Sequence, residues 1–483
     1  MSTTTEIKPE AESTTGFQPL SWWKAGLLVL VAAGCFHAAY TPAQSGPLAL
    51  LIVGYVVCLV QLARMRTTRL AFYMGLLTGL ACFGPQLAFF WTIFGPAAIA
   101  LWVVLAFWIA LFVALTHVAL VRFGVKRAVW LVPFLWTGLE YFRSELYYLK
   151  FAWLNVGFAF ADWQIMPSAL GIYGGGFCIV VIAATSYLIR PLYVFALYAI
   201  SLILCGLLTP ALAETKHSLP NLHLAGVQLE FPIQQQIIQS LDKILALHDK
   251  KFSRVSSHLI HTNLDLIVLS EYTLDGEPTE QLKNWCREHG KFLIVGGKEP
   301  APGNNYYNTA FVIGTNGEVV FKQAKSVPIQ FFKDGLPAPE QRVWESPWGK
   351  IGICICYDFS YARVTDELVR QGAQLLIVPT MDVSDWGQHQ HELHARVAPV
   401  RAAEYGIPIF RVASSGISQG VTANGSVRAS ASFPGDGEMI FFATRLGKPG
   451  SLPLDRWLAP LCVGVTGLFA AWLAVEKLRR KKV

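Results

Sequence analysis

Three residues carry side chains suited to acyl-transfer chemistry: Glu271, Lys325 and Cys356. The clearest is Cys356, near the end of the run Gly-Lys-Ile-Gly-Ile-Cys-Ile-Cys-Tyr-Asp at 349–358, where an apolar stretch drives into a thiol, an aromatic ring and an acid. A nucleophilic thiol needs a rigid mount and a polar neighbour to deprotonate it, and the end of a buried strand offers both. Cys354 and Cys356 lie two apart and share a face on a strand, and only Cys356 is at its exit. The bland reading is that both are small core residues, the commoner fate of free cysteine. Glu271 closes Leu-Asp-Leu-Ile-Val-Leu-Ser-Glu, and two lysines, Lys322 and Lys325, follow a hairpin. Taken singly, these charges read as solvated surface groups. Together they are what thioester chemistry on an amide or ester requires. The glutamate takes the thiol proton and returns it to the leaving group, the ammonium faces the developing oxyanion, and the cysteine attacks.

The elements that must hold these groups alternate along the chain. The pattern predicts strands at 222–229, 264–270 and 292–297, and a hairpin of 307–314 with 319–321 around Asn316-Gly317. Further strands are expected at 351–356, 374–379 and 408–413. Helical spacing covers 233–261, 280–289, 365–371 and 391–404. This is an α/β layered sandwich.

The surroundings of that domain are of another kind. The chain has 483 residues, of which 53% are hydrophobic and only 15% charged, too apolar for an ordinary soluble protein. Apolar runs predict about eight membrane spans, at 22–40, 47–63, 69–91, 96–121, 127–145, 166–189, 191–209 and 456–475. The expected organisation is a disordered tail at 1–21, a membrane domain at 22–210, a soluble domain at 221–445 and a final membrane helix at 456–476. The first run is too long for a removable signal peptide and is expected to stay as an anchor.

Arg64, Arg66 and Arg69 follow the second span, Arg122, Lys126 and Arg127 the fourth, Arg190 the sixth, and a basic cluster from Lys477 the eighth. All fall on one side if the amino terminus is cytoplasmic, which puts the soluble domain outside. The same loops account for the net charge of +7, and without a basic stripe nucleic acid is excluded as a partner. Of nine cysteines only Cys286, Cys354 and Cys356 lie in the soluble part, so neither a disulfide framework nor a zinc site is expected. His389, His391 and His394 read as a polar helix start rather than a metal site, and no cofactor is expected. Glu140 and Arg143 end a span, where they either line a lipid access route or form a simple interfacial pair.

The domain at 221–445 resembles the nitrilase, or carbon–nitrogen hydrolase, superfamily, through Ile355-Cys356-Tyr357-Asp358, Arg401-Ala-Ala-Glu-Tyr-Gly-Ile-Pro408 and Ser414-Ser-Gly-Ile-Ser418. With its membrane segments, among them Leu135-Trp-Thr-Gly-Leu-Glu-Tyr-Phe-Arg143 and Gly171-Ile-Tyr-Gly-Gly-Gly-Phe177, the chain resembles the apolipoprotein N-acyltransferase family. The resemblance implies an αββα sandwich with a Glu-Lys-Cys triad. It selects Lys325 over Lys322 by its distance from Gly317, and names Tyr357, Asp358 and Trp386 as substrate-binding residues. It also implies a phospholipid acyl donor, a lipoprotein acceptor and a bacterial cytoplasmic membrane. The family's further glutamate after the lysine has no counterpart in Ser326-Val-Pro-Ile-Gln-Phe-Phe-Lys-Asp334, so Gln330 or Asp334 would have to serve. Two other readings stand beside this one: a tethered amidase with water as acceptor, and a catalytically dead scaffold.

Overall fold

The computed structural model describes residues 18–41, 46–161, 165–189, 193, 221–252 and 263–480. Among the described residues seven apolar helices come first: α1 (Trp22–Ala39), α2 (Leu51–Leu62), α3 (Thr68–Gln86), α4 (Phe89–Phe94), α5 (Ala97–Phe123), α6 (Val125–Tyr141) and α7 (Ile165–Ala184). Four stretches among the described residues are long and apolar enough to cross a membrane: Trp22–Ala39, Ala97–Phe123, Ala169–Tyr187 and Asp455–Arg480. The expected run at 69–91 is divided, because α3 stops at Gln86 and α4 starts afresh at Phe89. The expected seventh span, 191–209, lies outside the described residues apart from Tyr193, as does the expected tail up to residue 17.

Among the described residues two six-stranded sheets form the sandwich. Strands β1 (Leu222–Val227), β2 (Leu266–Val268), β3 (Phe292–Ala301), β4 (Asn305–Ile313), β5 (Val319–Ala324) and β12 (Met439–Thr444) build the first, in the order β12-β1-β2-β3-β4-β5. The second, β11-β10-β9-β8-β7-β6, comprises β6 (Val343–Ser346), β7 (Gly349–Ile353), β8 (Leu375–Thr380), β9 (Ile409–Ala413), β10 (Ser418–Val421) and β11 (Val427–Ala431). The central strands of both sheets pair in parallel. Parallel strands are covered on both faces and read as continuous apolar runs, which is why 264–270, 351–356 and 374–379 stand out in the sequence. Leu224, Val268, Ile294, Ile353, Ile377 and Phe410 fill the space between the sheets.

Helices cover the outer faces. On the first sheet lie α8 (Gln234–Phe252) and α9 (Glu280–His289), which bury Ile237, Leu241 and Trp285. The expected helix at 233–261 is described as far as Phe252. On the second sheet lie α10 (Ala362–Arg370), α11 (Gln388–Ala395) and α12 (Val397–Tyr405). Their apolar residues Leu368, Leu393, Val397 and Val400 share one core with the membrane helices, so the helical bundle is docked on this layer. The last helix, α13 (Asp455–Arg480), returns to the bundle.

Polar ties fix the docking. Glu404 accepts the Ile172 N–H (2.9 Å), Asp455 accepts the Tyr173 N–H (2.9 Å), and Asp366 holds Arg456 (2.7 Å). The peptide N–H groups are free because α7 is interrupted at Gly171, whose φ of +73° is a conformation that favours glycine.

Two expectations change. The hairpin is part of a three-strand meander, because β3 pairs with β4 along its whole length. The strand expected at 351–356 ends at Ile353, and Cys356 opens a tight turn, Cys356–Ser360. The two cysteines therefore do not share a face: Cys354 packs into the core under the helices and Cys356 into the core between the sheets.

Candidate active site

Each of the three chemical residues sits just beyond a strand. The chain leaves β2 and reaches Glu271, followed by Tyr272 at φ +53°. Gly296 of β3 lies against this bend, where an added Cβ would come within 2.6 Å of the Glu271 Cα. Lys325 directly follows β5, its N–H bonded to the Asn308 carbonyl (2.8 Å). Cys356 itself has φ +51°. A non-glycine residue in this region costs about 1–3 kcal/mol and persists only where surrounding contacts impose it.

Asp358 imposes it. Its carboxylate accepts the N–H groups of Ser326 (2.9 Å), Val327 (2.6 Å) and Ile355 (3.3 Å). One fully buried acid thus ties the segment after Lys325 to the turn that carries Cys356. Burial pushes this carboxyl up to about 6, against the pull of those hydrogen bonds.

The amine lies between two acids. Lys325 Nζ is 2.8 Å from Glu271 Oε1 and 2.7 Å from Asp334 Oδ2, and all three side chains are buried. Asn308 donates to the same Glu271 oxygen (2.6 Å) and to Asp334 (2.9 Å), while the Met381 N–H donates to Glu271 Oε2 (2.7 Å). The Met381 carbonyl accepts the Cys356 thiol (3.7 Å). Burial works against the Lys325 charge, but Glu271 and Asp334 hold its pKa well above the usual value. Burial raises the Cys356 thiol far above its ordinary range, Glu271 adds to this and Lys325 opposes it. The resting thiol is protonated and needs a base. Burial also raises Glu271, with Lys325 opposing and Asp334 adding. A carboxylate of raised pKa is the better proton acceptor.

Lys322 takes no part, since its ammonium is half exposed and paired with Glu299. Asp334, not Gln330, stands by the lysine. Gln330 turns away and donates to the Tyr148 carbonyl of the bundle. Of the three expected substrate-binding residues, Tyr357 and Trp386 line an apolar cavity of about 790 Å³ including its mouth. Its walls come from both parts of the chain, Phe90, Phe94 and Leu105 facing Phe332 and Tyr357. Asp358 does not line it: the three backbone N–H groups draw it inward. A second, more polar cleft reaches Glu271, Lys325 and Asp334 from the side of Tyr272, Tyr306 and Lys333, and shares Trp386 and Phe332 with the cavity.

Sequence reasoning missed Asn308, although an asparagine just ahead of the apolar run 310–313 of β4 signals a buried partner. It also missed Asp382, which pairs with Arg411 and lies 2.8 Å from His394 Nδ1. His391 and His394 converge on one acid, their Nδ1 atoms lying 3.8 Å and 2.8 Å from the two Asp382 oxygens, and His389 stands apart. His389 bonds Gln86 of α3 (2.7 Å), the His391 ring packs at a tilt against Phe433, and His394 lies flat on Trp153 (4.7 Å between centroids, 18° between planes). Glu140 and Arg143 are buried rather than lining an access route. Glu140 accepts the Val156 N–H (3.0 Å), and Arg143 donates to Asn155 (2.6 Å). Together they fix the loop that carries Trp153.

Comparison with known proteins agrees with both halves of this architecture. Residues 257–444 match the family described as Carbon-nitrogen hydrolase. Residues 32–185 match the Apolipoprotein N-acyltransferase N-terminal domain. Most of the chain is similar to apolipoprotein N-acyltransferases. It is 24% identical over 415 residues to the Apolipoprotein N-acyltransferase of Geobacter metallireducens, covering 74% of this chain and 78% of that one. The Apolipoprotein N-acyltransferase of Shewanella oneidensis is 23% identical over 383 residues, 69% of this chain and 73% of its own. A shorter match is to the Omega-amidase NIT2 of Xenopus tropicalis. It is 33% identical over 116 residues, 22% of this chain and 42% of the amidase.

Proposed function

We propose that this enzyme moves a fatty acyl chain from a phospholipid, through a thioester on Cys356, to the N-terminal amine of a diacylglyceryl lipoprotein. The observation that carries the reading is an apolar cavity walled by both helices and sandwich, which takes Tyr357 from the Cys356 turn and shares Trp386 and Phe332 with the cleft that reaches the Glu271–Lys325 pair. Glu271 takes the thiol proton as Cys356 attacks the ester carbonyl, then hands it to the departing lysophospholipid. Lys325 and nearby backbone N–H groups stabilise the oxyanion. Tyr357 and Trp386 hold the acyl chain, and Asp358 keeps the two loops in register.

The chain is a membrane protein of bacterial inner-membrane type. Within that frame we assign about eight spans, a membrane domain at 22–210, a catalytic domain at 221–445 on the periplasmic face and a closing helix at 456–476. The tether brings the thiol to headgroup depth, where donor and lipid-anchored acceptor both lie, and so raises their effective concentration.

The test is acyl-enzyme trapping. Purified protein given labelled phospholipid should carry the label as a thioester, and Cys356→Ala should not. The amidase reading is supported by the omega-amidase match, and water would then be the acceptor. Cleavage of small amides with no lipid-derived acyl-enzyme would favour it and exclude the acyltransferase. Failure of both reactions would leave the scaffold reading.

A further inference from the structure

The thiol has a second set of partners that the mechanism above leaves unused. Cys356 Sγ, a carboxylate oxygen of Asp382 and a ring nitrogen of His394 all lie within 4.8 Å of one another. None of the three residues is more than 2% exposed. The backbone places both systems through one short segment at the end of β8. Met381 bonds Glu271 through its N–H and the Cys356 thiol through its carbonyl, and the next residue is Asp382.

Asp382 is held as a carboxylate. Burial opposes its charge, but His394 and Arg411 outweigh it and keep its pKa well below the usual range. Ser414, Gln390 and His391 surround it further, the Asp382 N–H donating to Ser414 Oγ (3.1 Å), Gln390 donating to Oδ1 (3.3 Å) and His391 Nδ1 lying 3.8 Å from Oδ2. An ionised carboxylate only accepts, so the 2.8 Å contact to His394 Nδ1 is an Nδ1–H bond. That leaves the lone pair on Nε2, which is buried without a hydrogen-bond partner. Trp153 stacks on the ring and fixes its plane. The charged or titratable groups facing His394 are Asp382, Arg411 (3.1 Å from Nδ1), His391 and Cys356. A cation among these donors would meet the Arg411 guanidinium already on Asp382, so proton transfer suits the cluster better than metal binding.

Resting on the acyltransferase reading, we propose that His394, oriented by Asp382, is the base that strips the excess proton from the acceptor's ammonium in the second half-reaction. The proton count requires such a group. An N-terminal amine is largely protonated at neutral pH. As it attacks the thioester, the C–N bond forms and the C–S bond breaks, giving amide, Cys356 thiol and one released proton. The nitrogen loses two protons in all. Glu271 carries one to the departing sulfur, and His394 takes the other and passes it to water. The first half-reaction begins from a thiol and an ester and releases no net proton, so it has no need of His394.

The test separates the two half-reactions in the full-length protein in detergent. Acyl-thioester is formed from labelled phospholipid, then chased with a diacylated peptide bearing a free N-terminus, from pH 6 to pH 9. In His394→Gln the ratio of aminolysis to acylation rate constants should fall about six- to tenfold at pH 7, the inverse of the amine's neutral fraction there, and most of that loss should vanish by pH 9, where the amine is already neutral. A loss equal at both pH values, or one shared by acylation, would overturn the proposal. Should that variant fail to fold, the wild-type protein decides. With His394 as base, aminolysis levels off below the pKa of the acceptor amine; a rate that follows the amine's own titration overturns it. Absence of any acyl-thioester in wild-type protein would instead overturn the functional reading.

Discussion

Lys325 and Asp334 form a buried ion pair at 2.7 Å, with the lysine fully enclosed. Of the two candidates for the absent glutamate, Gln330 and Asp334, Asp334 therefore provides the negative charge beside the lysine. Its carboxylate also accepts the Ile329 N–H (2.7 Å) and the Tyr272 hydroxyl (2.9 Å), so the same acid folds the loop bearing Phe331 and Phe332 over the apolar cavity.

Asp334→Asn should slow acyl-thioester formation on Cys356 by about 10- to 100-fold, because Lys325 is then balanced by Glu271 alone and Glu271 loses freedom to act as base. Asp334→Glu should recover part of the rate, and Gln330→Ala should leave it within about threefold. Single-turnover labelling with phospholipid reads all three.

The Asp358 carboxyl gives a pH dependence with a definite sign. Its folded pKa is about 6, against 3.8 for an ordinary aspartate. Between those values the folded chain binds more protons than the unfolded one, so this group's stabilising contribution is complete below about pH 4 and is lost as pH rises through 6. Its size is about 1–3 kcal/mol. Wild-type stability minus that of Asp358→Asn, measured by denaturation in detergent from pH 4 to pH 7, should show this slope. A flat difference would contradict it.

Leu105 of α5 lines the cavity opposite Tyr357 and Phe332. Leu105→Trp fills part of that space. Donors with long acyl chains should lose about tenfold in acylation relative to short-chain donors, while iodoacetamide labelling of Cys356 stays unchanged. Competition between two labelled phospholipids measures the ratio.

Gly171 adopts φ +73°, and a Cβ there would collide with the Asp455 carboxylate. Gly171→Ala should destabilise the protein by about 2 kcal/mol or more. Thermal denaturation in detergent should show a clear fall in Tm, with the contact between α13 and the rest of the bundle loosened.

Much of this molecule is written locally. Parallel strands covered on both faces must be apolar along their length, so 264–270, 351–356 and 374–379 are legible as strands, and titratable residues at their ends are legible as candidates. Long uncharged runs are legible as membrane helices for the same reason of period and length. Glu271 and Cys356 could be singled out because each closes such a run, whereas Lys325 shared its hairpin with Lys322 and was selected by the resemblance.

What the tertiary structure decided depends on residues far apart in sequence. Whether Lys322 or Lys325 meets Glu271 is a matter of which one follows the end of β5 into the space between the sheets. Cys354 and Cys356 part company because three N–H groups from two loops converge on Asp358 and bend the chain after Ile353. No spacing rule reports that Asp358 is turned inward, that Asn308 bridges two acids, or that Asp382 and His394 close on the thiol from the far side of β8. Those placements come from desolvation: a charge that loses its water must find partners wherever the packed chain supplies them, and the sequence alone does not say where that will be.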